Sequence, residues 1–212
     1  MPRESFQHII QGVRRFQREV FPSMADSFRK LEQGQTPSTL FVTCADSRVN
    51  PQLLTSTDPG EIFVARSIGN LIPPHGSGDR GTAALIEYAV QVLQVEHVVV
   101  CGHSQCGAVK SLLDPDDDAT VPRVTEWLHY AETARATTQA LAEKAPANEK
   151  LKVATQHNVA AQLANARTYP AIAASVALGK LQLHGWYYDI GSGGVDSLDP
   201  VRNTFHPLSA DA

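Results

Sequence analysis

Apolar residues recur with a helical period at the start of the chain. Phe6, Ile9, Ile10, Val13, Phe16 and Val20 follow i, i+3, i+4, i+7 spacing with Arg14, Arg15 and Arg18 between them, which predicts an amphipathic helix. Pro22 predicts a stop or kink, and Phe28 and Leu31 a second short helix ended by Gly34. The pattern then turns to short continuous runs at 39–43, 62–65 and 98–101, rich in β-branched and apolar residues, as buried strands require. Between the last two runs, Leu85, Tyr88, Ala89 and Val92 return to helical spacing. Strands alternating with helices predict a mostly parallel sheet with right-handed crossovers.

Residues 122–178 are rich in Ala and helix formers, interrupted at Pro146 and Pro170, and read as several helices packed on the sheet. In the last long strand, 181–190, Leu181 and Leu183 share one parity and Trp186, Tyr188 and Ile190 the other. That phase change at His184-Gly185 predicts a β-bulge. A Gly-Ser-Gly-Gly turn at 191–194 and a short terminal strand within 201–208 follow, and the acidic stretch 114–120 reads as a solvated surface loop. The expected fold is therefore α/β. It has a mostly parallel four-stranded sheet, an added edge strand near 181–190, flanking helices and an N-terminal helical arm. The chain reads as one domain over 1–212, with the arm at 1–34 and an α/β core at 35–212. The arm has no place in a self-contained crossover, so it is expected to reach onto a partner subunit.

Composition narrows the classes. A chain of 212 residues fits one domain that buries roughly 70% of its unfolded surface. A net charge of -4 excludes a domain built to grip nucleic-acid backbones. No apolar run approaches the ~18 residues that span a bilayer, and Met1-Pro2-Arg3-Glu4-Ser5 leads into no signal-peptide core. The expected location is cytoplasmic, with no membrane partner. Three cysteines, Cys44, Cys101 and Cys106, form no disulfide framework. They are either core filler or thiol chemistry.

Position decides between those two. Cys44 follows the first strand directly in Cys44-Ala45-Asp46-Ser47-Arg48, and His103 and Cys106 follow the third in Cys101-Gly102-His103-Ser104-Gln105-Cys106-Gly107. Active sites of open α/β sheets form beyond the carboxyl ends of the strands. If the two strands are neighbours, two thiols and an imidazole meet there. Two thiolates and one imidazole suit Zn²⁺, and three protein ligands leave one tetrahedral position open, the mark of a catalytic metal with bound water. Zinc with two thiolates is formally neutral and acidifies its water less than a three-histidine site, so a nearby hydrogen-bond acceptor is needed. Asp46 is placed for that role. Arg48 can pair with it bidentately, keeping it ionised and off the metal; unpaired, Asp46 could itself become the fourth ligand.

These two segments resemble the signature segments of the β-class carbonic anhydrases. The resemblance extends to Gln35-Thr36-Pro37, to Phe63-Val64-Ala65-Arg66-Ser67-Ile68-Gly69-Asn70, to Glu87-Tyr88-Ala89 and to His184-Gly185-Trp186. It implies one zinc per chain on Cys44, His103 and Cys106, and a catalytic dyad of Asp46 with Arg48. It further implies a substrate pocket of Gln35, Phe63, Ile68, Tyr88 and Gly107, narrow, mostly apolar and shared across a dimer interface. The implied reaction is hydration of carbon dioxide to bicarbonate and a proton, in a homodimer or a dimer of dimers. Some members carry an inhibitory bicarbonate site that uses a Trp three residues before the first zinc cysteine. Here Phe41 stands there, although Arg66 and Tyr188 match the rest of that site, and the open form with Asp46 paired to Arg48 is expected.

Three other readings compete. A cysteine phosphatase or sulfurtransferase needs a thiolate in an oxyanion-cradling loop closed by Arg; Arg48 is too close to Cys44 for that loop, and Cys106 has no Arg nearby. A non-catalytic zinc scaffold would have lost the Asp46–Arg48 dyad. A zinc hydrolase of the same fold acting on carbon disulfide, or a similar small neutral molecule, differs only at the pocket mouth.

Overall fold

The structure, a computed structural model, describes residues 6–113, 121–142, 146 and 148–208. Among the described residues, six strands form one sheet: β1 (Thr39–Cys44), β2 (Ile62–Ser67), β3 (His97–His103), β4 (Gln182–Tyr188), β5 (Val195–Asp199) and β6 (Thr204–Pro207). Their spatial order is β2-β1-β3-β4-β5-β6. The first four are mutually parallel and the last two antiparallel. The strand near 181–190 is therefore not an edge addition. It is the fourth parallel strand, paired on both sides, and the sheet is extended by the hairpin β5–β6, of which the hydrophobic pattern announced only the second strand.

β4 also carries no bulge. It pairs with β3 without interruption from His97↔Gln182 to His103↔Tyr188. Both faces of the strand are covered, which places apolar residues on both parities and mimics a phase slip. Gly185 serves close packing instead: a Cβ there would lie 2.9 Å from Leu163 Cδ1 and 3.0 Å from Val159 Cγ1.

The helices of the core are α3 (Pro51–Thr55), α4 (Arg80–Glu87), α5 (Gly107–Leu113), α6 (Pro122–Leu128), α7 (Glu132–Ala142), α8 (Lys150–Arg167) and α9 (Pro170–Ala177), numbered after α1 and α2 of the arm, described below. Pro170 opens α9 rather than breaking a helix; its fixed φ and missing N–H suit a first turn. Asp79 caps α4 by accepting from the amides of Gly81 and Thr82, which draws two unpaired donors out of the helix start. On one face of the sheet, Leu40, Val42, Val98 and Val100 pack with Ile86, Ala89, Val159, Leu163 and Ile172 in the main core. On the other, Phe41, Val99 and Cys101 pack with Leu54 and Trp186. The acidic stretch 114–120 lies outside the described residues.

Helix α8 presses on β3 beside the site. A Cβ on Gly102 would stand 2.8 Å from Thr155 Cγ2 and 2.8 Å from Val159 Cγ2. Gly102→Ala is therefore expected to lose about 1–3 kcal/mol through overpacking. Urea unfolding checks this, and an unchanged midpoint would show that α8 can yield.

The chain divides into two units, Met1–Thr36 and Pro37–Ala212. In the first, α1 (Phe6–Arg15), a π-helical segment (Phe16–Val20) and α2 (Phe21–Leu31) follow one another directly. Pro22 neither stops nor splits the arm, because the hydrogen-bond register has shifted just before it, with Phe21 N donating to Phe16 O. The π segment absorbs the missing donor. Phe16, Phe21 and Phe28 cluster with ring centroids 5.4–6.1 Å apart. No described residue of α1 or α2 is buried, and Phe6, Ile9 and Val13 are more than half exposed.

Candidate metal centre

Cys44 is the last residue of β1, and β3 beside it runs on to His103. Topology thus brings the two chemistry-bearing segments to adjacent carboxyl ends of one sheet. Beyond β3 the chain turns through Gln105, at φ 55°, and enters α5, so Cys106 immediately precedes that helix. Its carbonyl accepts from Lys110 N at 3.1 Å. As a result, one ligand atom from each of Cys44, His103 and Cys106 lies within 4.8 Å of the others, and all three residues are buried.

The donor set itself points to a metal. His103 is fully buried. Its Nδ1–H donates to Ser104 O at 2.9 Å, since a carbonyl can only accept, and this leaves the Nε2 lone pair free. Nε2 is buried and has no hydrogen-bond partner among the described residues, an arrangement that folded proteins avoid unless a ligand completes it. The Cys44 thiol is pushed down by its hydrogen bond with Cys106, and Cys106 is pushed up by the same bond and by burial. Two buried sulfurs this close share one proton, and both become thiolates only around a cation. Two thiolates and an imidazole nitrogen fit zinc and leave one position for reactants. Cys101, on the other hand, is fully buried in the Phe41–Val99 cluster, where burial pushes its thiol up to about 12. It is filler.

Asp46 and Arg48 form a fork. Arg48 donates from Nε to Asp46 Oδ1 at 2.9 Å and from Nη2 to Oδ2 at 2.7 Å, and its backbone N reaches Oδ1 at 2.9 Å. The guanidinium hydrogen bonds hold Asp46 well below the usual carboxylate range, so it is an acceptor at neutral pH. Nη2 also donates to Gln105 O at 3.1 Å, which ties the loop after β1 to the loop after β3. Asp46 Oδ2 is 3.8 Å from His103 Nε2, so the carboxylate faces the space where the three ligand atoms converge.

The predicted pocket residues divide. Gly107 opens α5 beside Cys106, and Ile68, directly after Ser67 at the end of β2, is 43% exposed. Phe63 and Tyr88 meet each other, with ring centroids 5.9 Å apart. Phe63 pairs with Leu40 while Cys44 pairs with Ser67, so within one chain these rings lie four residues, roughly 13 Å along the strand, below the metal ligands. Gln35 belongs to the N-terminal unit. Phe41 packs edge-on against Trp186, with ring centroids 5.8 Å apart. Arg66 donates to the carbonyls of Cys44, Asp46 and Val49 and so holds the loop that carries the dyad.

Helix α8 contributes residues that sequence reading passed over. Asn158 donates to Gly69 O at 2.9 Å, Gln162 accepts from Ile72 N at 2.8 Å and donates to Asn158 at 3.0 Å, and Asn165 donates to Ile72 O at 2.9 Å. This buried ladder fixes the segment after β2. Its signal was three amides at i, i+4 and i+7 in an Ala-rich helix.

The carbonic anhydrase family profile matches residues 39–195. The chain is 46% identical over 201 residues to a carbonic anhydrase of Pseudomonas aeruginosa, covering 95% of this chain and 91% of that protein. It is 40% identical over 203 residues to carbonic anhydrase 1 of Escherichia coli O157:H7, covering 96% and 92%. Among solved structures, the β-carbonic anhydrase CcaA is 38% identical with a TM-score of 0.93, covering 97% of this chain and 92% of that one. A pair of tetrameric β-carbonic anhydrases from Sordaria macrospora is represented by a chain 29% identical with a TM-score of 0.83, covering 96% and 98%.

Proposed function

The chain belongs to the β-class carbonic anhydrase family and catalyses the reversible hydration of carbon dioxide to bicarbonate and a proton; we propose that Cys44, His103 and Cys106 hold one catalytic zinc ion per chain for that reaction. The observation that carries the assignment is the buried His103 Nε2, without a hydrogen-bond partner among the described residues and grouped with two sulfurs. Bound there, zinc supplies a Lewis acid that lowers the pKa of water and makes a nucleophile available near neutral pH.

The side chains do the rest. Asp46, kept ionised and held back by Arg48, accepts a hydrogen bond from the attacking water and orients it. Carbon dioxide carries no charge, so its pocket needs apolar walls and a single donor. Gln35 donates to a substrate oxygen, Ile68 and Gly107 flank the metal, and the Phe63–Tyr88 pair of one protomer walls the site of its partner. The exposed apolar stripe of the arm and the tetrameric Sordaria relatives support a homodimer or dimer of dimers. No helix of the described residues is long and apolar enough to cross a membrane, and three free thiols suit the reducing cytoplasm.

Zinc X-ray absorption on the purified protein tests the assignment. We expect one zinc per chain with two sulfur neighbours and one nitrogen neighbour. A zinc shell without sulfur would contradict it.

A further inference from the structure

We propose that Ser104 is a positioning residue for the metal centre: its hydroxyl locks the peptide whose carbonyl sets the ring of His103. This inference rests on the zinc assignment above. Among the described residues the ring makes one hydrogen bond, from Nδ1–H to Ser104 O at 2.9 Å, and it presents Nε2 correctly only if that peptide plane is itself fixed. Any residue would offer the carbonyl, so the choice of side chain needs another reason.

The reason lies across the sheet. Ser104 N donates to Tyr188 O at 2.8 Å, and Ser104 Oγ accepts from Ile190 N at 2.9 Å. His103 is in register with Tyr188, so these two bonds continue the β3–β4 pairing past the end of the strands, with a hydroxyl replacing a backbone acceptor. The next residue, Gln105, turns left-handed at φ 55°, a conformation that non-glycine residues hold only when their surroundings impose it. Arg48 grips Gln105 O from the other loop. The three peptides between His103 and Cys106 are thus clamped through Ser104 by β4 and the turn after it, and by the dyad through Arg48. Outer partners of this kind fix the tautomer and orientation of a ligating histidine, and their removal weakens metal binding by roughly 10–100-fold.

A purely structural serine would affect unfolding but not the zinc affinity of the folded protein, and this separates the two roles. The test compares the parent, Ser104→Ala and Ser104→Thr by zinc chelator competition, with the visible spectrum of the cobalt(II)-loaded proteins and urea midpoints measured alongside. We expect Ser104→Ala to bind zinc about 10-fold more weakly and to shift the cobalt bands, while Ser104→Thr, which keeps the hydroxyl, stays within threefold of the parent. A loss below threefold in Ser104→Ala, or an equal loss in both variants, overturns the proposal. A parent that takes up no zinc overturns the zinc assignment and this inference together.

Discussion

Asp46→Asn keeps its zinc and loses roughly 100-fold or more of its turnover in carbon dioxide hydration, the range expected when a positioned hydrogen-bonding partner of the reacting group is removed. Asparagine has nearly the same shape, and none of the three ligand atoms is altered. The charge changes, and with it the direction of the hydrogen bonds. The carboxylate accepts three bonds from Arg48, two from its guanidinium and one from its backbone N, and still faces the ligand cluster, with Oδ2 3.8 Å from His103 Nε2. Both carboxylate oxygens accept from Arg48, so either orientation of the amide sets its NH2 against an Arg48 donor. In neither arrangement does it offer the anionic acceptor that orients the water. Arg48 also fixes the pH behaviour. A carboxylate whose pKa is depressed stays charged above the usual carboxylate range and loses its charge only as pH falls through the lowered value, so Asp46 titration does not shape the neutral part of the parent's rate profile. Stopped-flow rates with zinc content measured on the same sample check this. Turnover within threefold of the parent at full zinc would remove Asp46 from the mechanism.

Cys106→Ser loses zinc and rate together. A serine hydroxyl does not ionise near neutral pH and offers a hard oxygen in place of a thiolate. It also leaves Cys44 as the single thiolate beside an imidazole. We expect zinc affinity to fall by more than the roughly 100-fold upper range for outer-shell partners, and dialysis against a mild chelator to leave the variant without metal. Cys106 is itself fully buried against Val109 and Ala154, so the variant's unfolding midpoint should fall at or below that of the stripped parent, because a hydroxyl replaces the sulfur in that packing. A variant that retains one zinc per chain after dialysis would mean that Cys106 is not a ligand.

The centre was legible because its parts are local in sequence. Cys44 with Asp46 and Arg48 is one short segment and His103 with Cys106 another, each directly after an apolar run that could only be a strand. The geometry adds what no spacing encodes: that β1 and β3 are neighbours, and that His103 Nδ1 is already taken by a carbonyl. The non-local supports were missed for the same reason. Asn158 and Gln162 reach Gly69 and Ile72 across about ninety residues of chain, and Ser104 reaches Ile190 across eighty-six. Periodicity also misled where its assumption failed. It takes one face of a strand to be apolar, but β4 is covered on both, so a straight strand read as bulged. At Pro22 the rule assumes an α-helical register, and the π segment had already changed it.

Stopped-flow carbon dioxide hydration by the zinc-loaded parent, before and after stripping the metal, tests directly whether the Cys44–His103–Cys106 centre carries the reaction. Catalysis well above the buffer rate, abolished by the chelator and restored by zinc, is the expected result. A fully zinc-loaded parent with no rate above buffer would contradict it.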